Sequence, residues 1–304
     1  MDNNKIMIVG TGNVGASIAY GIMNQRTAVN EIILTDIIAK DAEGEAMDLR
    51  DALAVAPSYV KIKSGTYKDA KDCDIVIITA GAAQKPGETR MELLNKNANI
   101  LKGMVDQIMA SGFNGIFLIV TNPMDVMTYL TMKYSKLPSE RVIGSGTVLD
   151  SARLRSRIAN YLNTNAKSIH AYQIGEHGDT ELTLWSLAEV GGQKITELID
   201  KKTRNDISDF VKNEAYDIID KKGATYYGIA TCVIQIINCI LNDEMRVLAV
   251  SSYDHFSDTS FGFPSVVGRK GVMRRLDLKL SEHEGIELQK SINALKKAIK
   301  SIKL

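Results

Sequence analysis

The chain has only four histidines, and one of them, His177, stands among glycines and charges in Ile174-Gly175-Glu176-His177-Gly178-Asp179. An imidazole titrates near neutrality, so it can both accept and return a proton at physiological pH. Asp150, in Leu149-Asp150-Ser151-Ala152-Arg153, supplies a carboxylate that would fix the ring's tautomer and stabilise its cation. Arg153 follows three residues later, so on a helix both side chains share a face. A guanidinium grips a carboxylate through two parallel hydrogen bonds. A base, its orienting carboxylate and an anion clamp together fit the oxidation of an alcohol on a small anionic substrate, in which a proton and a hydride leave. Each residue alone has a plainer reading. A lone histidine is more often a hydrogen-bonded structural residue, and an arginine among 37 basic residues is more often a surface ion-pair partner. Gly175, Gly178 and the charged neighbours place His177 on a tight loop rather than in an apolar core.

A hydride needs an acceptor, and the N-terminal segment Val9-Gly10-Thr11-Gly12-Asn13-Val14-Gly15 is built to hold one. Gly10, Gly12 and Gly15 form G-x-G-x-x-G directly after an apolar run and at the start of a helical pattern. The first glycine permits a tight turn, the second lets the backbone approach a pyrophosphate, and the third allows close helix–strand packing. Helix N-termini present unpaired N–H groups to phosphates. Such a triplet alone is also compatible with a simple packing turn. Here a second strand, 31–35, ends in Asp36, where a carboxylate would accept from the adenosine ribose and repel a 2′-phosphate, favouring NAD over NADP. An Asp at this place is otherwise often a helix cap.

Two more segments leave strand ends, where ligands of open parallel sheets sit. The stretch 79–90, Thr79-Ala80-Gly81-Ala82-Ala83-Gln84-Lys85-Pro86-Gly87-Glu88-Thr89-Arg90, is a loop by its glycines and proline. Its length fits a lid that brings Arg90 to a substrate carbonyl. Asn122 follows the strand at 115–121 and is placed to hydrogen-bond substrate or nicotinamide.

These residues need a frame. Short Ile/Val-rich runs at 6–9, 31–35, 74–80 and 115–121 read as strands buried on both faces. Helical patterns at 14–24, 41–53 and 92–111 alternate with them, which predicts a parallel sheet covered on both sides. The sheet is expected to end near 142–144. From about 145 the pattern changes to long helices at 150–161, 205–222 and 224–242, with a Val-rich antiparallel strand at 247–253. A last helix gathers Leu288, Ile292, Leu295, Ile299 and Ile302 on one face and Lys296, Lys297, Lys300 and Lys303 away from it. The expected fold is α/β: a Rossmann-type parallel-sheet, NAD-binding domain at 1–144, then an α+β substrate domain at 145–304.

At 304 residues with 45% apolar and 24% charged residues, the composition is that of an ordinary soluble protein of about two domains. A formal charge of +1, from 37 basic and 36 acidic residues, excludes a general nucleic-acid or polyanion binder. Cys73, Cys232 and Cys239 make neither a metal pattern nor a disulfide framework and read as buried reduced thiols. No signal-peptide pattern and no membrane-length apolar run is present, so a cytoplasmic protein without metal or membrane partners is expected.

As a set, GTGNVGAS at 10–17, GAAQKPGETR at 81–90, TNPMDV at 121–126, VIGSGTVLDSAR at 142–153, HAYQIGEHGDTEL at 170–182 and KKGATYYGIA at 221–230 resemble the L-lactate/L-malate dehydrogenase family. The similarity runs along nearly the whole chain and is greatest to the bacterial L-lactate members. It implies that His177 is the proton donor and acceptor, that Asp150 orients it, that Arg153 binds the substrate carboxylate and that Arg90 polarises the carbonyl. It further implies substrate contacts from Asn122, Asp125 and Thr225. The implied NAD site is Gly10, Gly12, Val14, Gly15, Asp36, Tyr67, Gly81, Ala82, Val120, Asn122, Ser145 and Ile229. Gln84 stands where malate members carry an arginine for a second carboxylate. Without a countercharge that carboxylate costs several kcal/mol to bury, so glutamine implies pyruvate and L-lactate as the substrate pair. Arg155 and His170 match positions that bind fructose 1,6-bisphosphate between subunits in many bacterial members. The resemblance therefore implies an allosteric homotetramer of glycolysis and fermentation. Thr183 departs from a common proline and Asp41 from a common lysine, neither at an expected catalytic position. The competing readings are a malate or broader L-2-hydroxyacid dehydrogenase and, from another class, a non-catalytic NAD-binding redox sensor.

Overall fold

The computed structural model describes residues 4–82, 87 and 89–302, with Arg90 described through its backbone alone. The first half runs β1 (Lys5–Val9), α1 (Asn13–Met23), β2 (Glu31–Thr35), α2 (Ala39–Ala52), β3 (Lys61–Ser64), β4 (Ile75–Ile78), α3 (Arg90–Ala110), β5 (Ile116–Ile119), α4 (Met124–Ser135) and β6 (Val142–Gly144). Every residue of β4 and β5 is buried, as strands covered on both faces require. These six strands form a parallel ladder in the order β3-β2-β1-β4-β5-β6. The order reverses between β1 and β4, and the crevice beyond the carboxyl ends of such a pair is where this architecture receives ligands.

The second half runs α5 (Val148–Leu162), β7 (Ile169–His170), β8 (Gln173–Ile174), β9 (Leu182–Thr183), β10 (Glu189–Val190), β11 (Gln193–Lys194), α6 (Ile195–Leu198), α7 (Lys201–Lys222), α8 (Tyr227–Leu241), β12 (Arg246–Leu248), β13 (Ser251–Asp254), β14 (Thr259–Gly262), β15 (Ser265–Gly268), β16 (Gly271–Arg275) and α9 (Glu282–Lys300). One face of the main sheet packs on α1, α2 and α8 through residues such as Ile18, Leu49 and Ile237. The other packs on α3, α4 and α9 through Leu101, Leu130 and Leu295. A separate apolar cluster joins α5, β7 and α7 through Leu154, Ile169 and Val211. Burying each such side chain contributes about 1.5–3 kcal/mol.

Three expectations need correction. The sheet does not end at β6. The hairpin β13–β14 extends it antiparallel, with Ser251 opposite Gly144, to eight strands. The run 247–253 is two strands rather than one: β12 pairs with β15, β13 pairs with β6, and buried Ala249 and Val250 turn the chain between the two sheets. β3 was absent from the reading because it buries only Ile62, leaving no apolar run to see. The docking helix is as expected. In α9, Ile292 and Leu295 are buried, Leu288 and Ile299 pack beside them, and Lys297 and Lys300 are exposed. Its start is fixed by Ser281 and Glu284, each bonding the other's backbone N–H.

All three cysteines are free and buried. Burial pushes the Cys73 and Cys232 thiols up to about 12, so neither is a thiolate nucleophile near neutrality. No helix among the described residues is long and apolar enough to cross a membrane.

Candidate active site

The glycine turn sits at the crevice between β1 and β4. Gly10 has φ of +100°, a region glycine occupies freely, and a Cβ there would lie 2.7 Å from the backbone nitrogen of Ala80, just beyond β4. A Cβ on Gly15 would collide with the Gly10 carbonyl oxygen, so α1 rests directly on the turn. Gly12 differs: a Cβ there meets nothing, and α1 begins without a side-chain cap. That leaves an open approach to uncapped N–H groups, a cradle suited to a pyrophosphate. Asp36 reinforces the turn. Its Oδ2 accepts from the Thr11 backbone N–H at 2.7 Å and the Thr11 hydroxyl at 3.1 Å, and its Oδ1 from the Ile38 N–H at 3.2 Å. The carboxylate is half-buried beside the cradle.

The remaining implied cofactor residues lie on several elements of the fold. Val14 is on α1, and Val120 hydrogen-bonds β4 from just beyond β5. Ser145 donates to the Ile119 carbonyl at 2.8 Å. Ala82 donates its N–H to Asn97 Oδ1 at 2.8 Å, and Asn97 Nδ2 in turn reaches the carbonyls of Ala82 and Asn122. Gly81 lies against the Thr121 hydroxyl. Tyr67 is half-buried at the start of a 3-10 turn, and Ile229 lies on α8. Asn122 is exposed at the end of β5, and Thr225 is half-buried between α7 and α8. Gln84 and the Arg90 side chain lie outside the described residues.

His177 stands on the loop between β8 and β9, and four elements fix that loop. Gly175, with φ of +90°, exchanges two 2.9 Å backbone hydrogen bonds with Gly262 of β14. A Cβ at Gly175 would stand 2.6 Å from Ser291 Oγ of α9. That hydroxyl accepts from the Glu176 N–H at 2.7 Å. The His177 backbone N–H donates to Asp125 Oδ2 of α4 at 2.7 Å. Its ring Nδ1 meets Asp150 Oδ2 of α5 at 2.7 Å, with the imidazole 26% exposed and the Asp150 side chain 3% exposed. Asp150 Oδ1 accepts from Arg153 Nη1 at 3.0 Å. Arg153 Nε faces Glu214 of α7 at 3.7 Å. Its Nη2 has no protein partner among the described residues.

His177, Asp150 and Arg153 thus meet in one place: the Asp150–Arg153 pairing follows from their helical spacing, and the joining to His177 was expected from chemistry. Asp125 is placed differently from the substrate contact expected of it. It is fully enclosed, with Oδ2 on the His177 N–H and Oδ1 accepting from the Ser251 hydroxyl at 2.6 Å. It holds the histidine's backbone rather than facing open space. Ser251 and Ser291 were not singled out in the sequence. The only available sign for Ser291 was a small polar residue on the buried face of α9. Glu181 was also missed: it is buried behind the loop and accepts from Gln173 Nε2 at 3.0 Å.

The electrostatics follow from burial and pairing. The Asp150 charge raises His177 to about 9 against the opposing effect of burial. Burial works against ionising Asp150, but His177 and Arg153 outweigh it and hold that carboxyl below its usual value. Near neutrality the pair is therefore an imidazolium on a carboxylate. Burial pushes Asp125 up to about 7, opposed by its two hydrogen bonds, and burial together with the Asp150 charge pushes Glu181 up to about 8. Ligand atoms of Asp150, His177 and Glu181 lie within 4.8 Å of one another, a spacing a cation would also accept. With Asp150 already bonded to a guanidinium and an imidazole, the cluster is organised for protons.

Residues 4–144 match the family model for the lactate/malate dehydrogenase NAD binding domain, and residues 147–303 match that for the lactate/malate dehydrogenase alpha/beta C-terminal domain. The L-lactate dehydrogenases 1 and 2 of Bacillus cereus are 49% and 47% identical to the chain, each alignment covering 97% of both proteins. The minor L-lactate dehydrogenase of Enterococcus mundtii in its ligands-bound form superposes with a TM-score of 0.96 at 44% identity over 99% of both chains. Its ligands-unbound form gives 0.91 at 42% identity, over 100% of this chain and 99% of that one. The glycine turn ahead of α1, the His177–Asp150–Arg153 cluster and the two matched domain models identify the chain as a member of the lactate/malate dehydrogenase family.

Proposed function

We propose that this protein is an NAD-dependent L-lactate dehydrogenase catalysing pyruvate + NADH + H⁺ ⇌ L-lactate + NAD⁺. The observation that carries the reading is the 2.7 Å contact of His177 Nδ1 with Asp150, flanked by Arg153. It is supported by the similarity to named L-lactate dehydrogenases along 97% of the chain. Gly10, Gly12, Val14, Gly15 and Asp36 would hold the dinucleotide, whose nicotinamide ring supplies the hydride when bound. With Nδ1 committed to Asp150, the exchangeable proton resides on His177 Nε2. In pyruvate reduction Nε2 gives its proton to the carbonyl oxygen; in lactate oxidation it takes the hydroxyl proton. Asp150 stabilises the imidazolium in either direction. Arg153 orients the substrate through its carboxylate, Arg90 polarises the carbonyl, and Asn122 and Thr225 line the pocket.

Gln84 provides the chemical basis for preferring pyruvate over oxaloacetate, since the residue at this position is glutamine rather than an arginine for a second carboxylate. Initial rates of NADH consumption with pyruvate, oxaloacetate and a branched 2-oxo acid test the reading. Pyruvate should give the highest kcat/KM, and Gln84→Arg should move preference towards oxaloacetate. A wild-type preference for oxaloacetate, or no turnover of any 2-oxo acid, would refute it.

Regulation by fructose 1,6-bisphosphate belongs to the same reading. Arg155 is half-buried on α5, and His170 is exposed on β7, which packs against α5. Arg155 and His170, paired with the same two residues of a second copy, would bind a bisphosphate and favour a homotetramer. A pyruvate saturation curve shifted to lower concentration by the bisphosphate is expected; identical curves would remove this part. A cytoplasmic enzyme of glycolysis and fermentation is the setting this activity fits.

A further inference from the structure

The reaction uses one buried carboxylate beside His177, yet the structure places more than one there. Glu181 is 4% exposed. A carboxylate oxygen of Glu181 lies within 4.8 Å of both Asp150 and the His177 ring. Its loop position is fixed by a hydrogen bond from its own N–H to the Gly178 carbonyl and by Gln173 Nε2 on its Oε1. Gln173 is itself immobilised. It has no exposed surface, its N–H donates to Ser151 Oγ at 3.0 Å, and its carbonyl accepts from Thr147 Oγ1 at 2.6 Å. A carboxyl group held this way, within 4.8 Å of the reacting imidazole, is not a solvated surface acid.

We propose that Glu181 is a positioning residue for the acid–base pair: by gaining or losing its own proton it sets how firmly His177 holds the proton exchanged with substrate. This rests on the dehydrogenase reading above. The balance is simple. The neutral carboxyl releases one proton to solvent and becomes a carboxylate; nothing is oxidised and no bond other than O–H breaks. The new negative charge then favours the imidazolium form of His177. The groups facing this cluster define the field. Asp150 and Arg153 come from α5, Lys212 and Glu214 from α7, and Asp125 from α4 behind the His177 backbone. Burial and then the Asp150 charge oppose ionisation of Glu181, while the His177 charge, the Gln173 hydrogen bond and Lys212 favour it. Because the cluster contains two acids that resist sharing a charge, its protons leave in coupled steps. Burial and the Asp150 charge raise Glu181, and the Asp150 charge raises His177, so both protons leave on the alkaline side of neutrality. Once Glu181 is ionised, the imidazole stays loaded for reduction over a wider alkaline range than Asp150 alone would secure.

Glu181→Gln is the informative change, since it keeps the shape and the contact with Gln173 while deleting the ionisation. Removing a charge that exists when His177 titrates lowers the histidine's midpoint, by about one pH unit. Nitrogen NMR of the His177 ring reads this without turnover. In the wild-type protein its signal should show two inflections, its own and that of Glu181. In Glu181→Gln it should show one, displaced to lower pH, and Glu181→Asp should recover most of the displacement. With both directions saturated in substrate, Glu181→Gln should raise kcat for lactate oxidation relative to kcat for pyruvate reduction several-fold at pH 8, a gain that loosened packing does not produce. A single wild-type inflection, or a His177 midpoint equal in wild type and Glu181→Gln, would overturn the proposal. Should Glu181→Gln not fold, the wild-type titration alone decides. Failure of the dehydrogenase reading would appear separately, as no NADH consumption with pyruvate whatever the titration shows.

Discussion

The two sides of the crevice are built by opposite strategies. The cofactor side is local: Gly10, Gly12 and Gly15 lie within one strand–turn–helix unit, and their work is done by backbone conformation and missing side chains. The proton side is assembled from distance. His177 is held by Asp125, Asp150, Gly262 and Ser291, which are 52, 27, 85 and 114 positions away. A binding surface for a common cofactor can be made by one contiguous motif. A base whose orientation must hold to a few tenths of an ångström needs bracing from several rigid elements.

That contrast has consequences for substitution. The largest effect is expected at His177 itself. His177→Asn should lower kcat for pyruvate reduction by about 10²–10⁴-fold, the usual contribution of a positioned acid, and a steady-state assay suffices to see it. Gly10→Ala comes next. It forces an alanine to φ of +100° and against Ala80, which should cost about 1–3 kcal/mol of stability and weaken NADH binding together. Thermal melting and a fluorescence titration with NADH would show both losses. Gly12→Ala separates the two: a Cβ there meets nothing in the protein, so the melting temperature should hold while the KM for NADH rises. A drop in melting temperature as large as that of Gly10→Ala would mean the open side of the turn is not a ligand surface. The smallest change is Ser291→Ala, which strips the Glu176 N–H and the Thr180 hydroxyl of a shared partner. An orphaned buried donor costs about 1–3 kcal/mol, so stability should fall modestly and kcat by a few-fold, although Ser291 touches no substrate.

The same contrast explains what the sequence disclosed. The glycine turn, Asp36 and the parallel strands were legible because local pattern carries them: short Ile/Val runs, helix-length spacing and glycines at strand ends. Asp150 and Arg153 were legible as a pair because three residues on a helix fix their relation. Their joining to His177 was an expectation drawn from chemistry. Glu181 and Ser291 acquire their roles only through tertiary burial, and Asp125, which the resemblance implied as a substrate contact, shows its hold on the His177 backbone only in the folded structure. β3 was missed for a related reason, since an edge strand that buries one side chain leaves no hydrophobic signature. The extension of the main sheet by β13 and β14 depends on a single ladder contact, Ser251 with Gly144, between residues 107 positions apart.

The central claim is that Asp150 holds His177 as the loaded acid. The most direct measurement is the pH dependence of kcat/KM for pyruvate reduction in wild type and Asp150→Asn. A raised histidine is protonated, and active as a donor, below its midpoint and loses activity as pH rises through it. The wild-type alkaline limb should therefore fall near pH 9. Without the Asp150 charge it should move at least about one unit towards the ordinary histidine value of about 6.5. An alkaline limb at the same pH in both proteins would contradict the account.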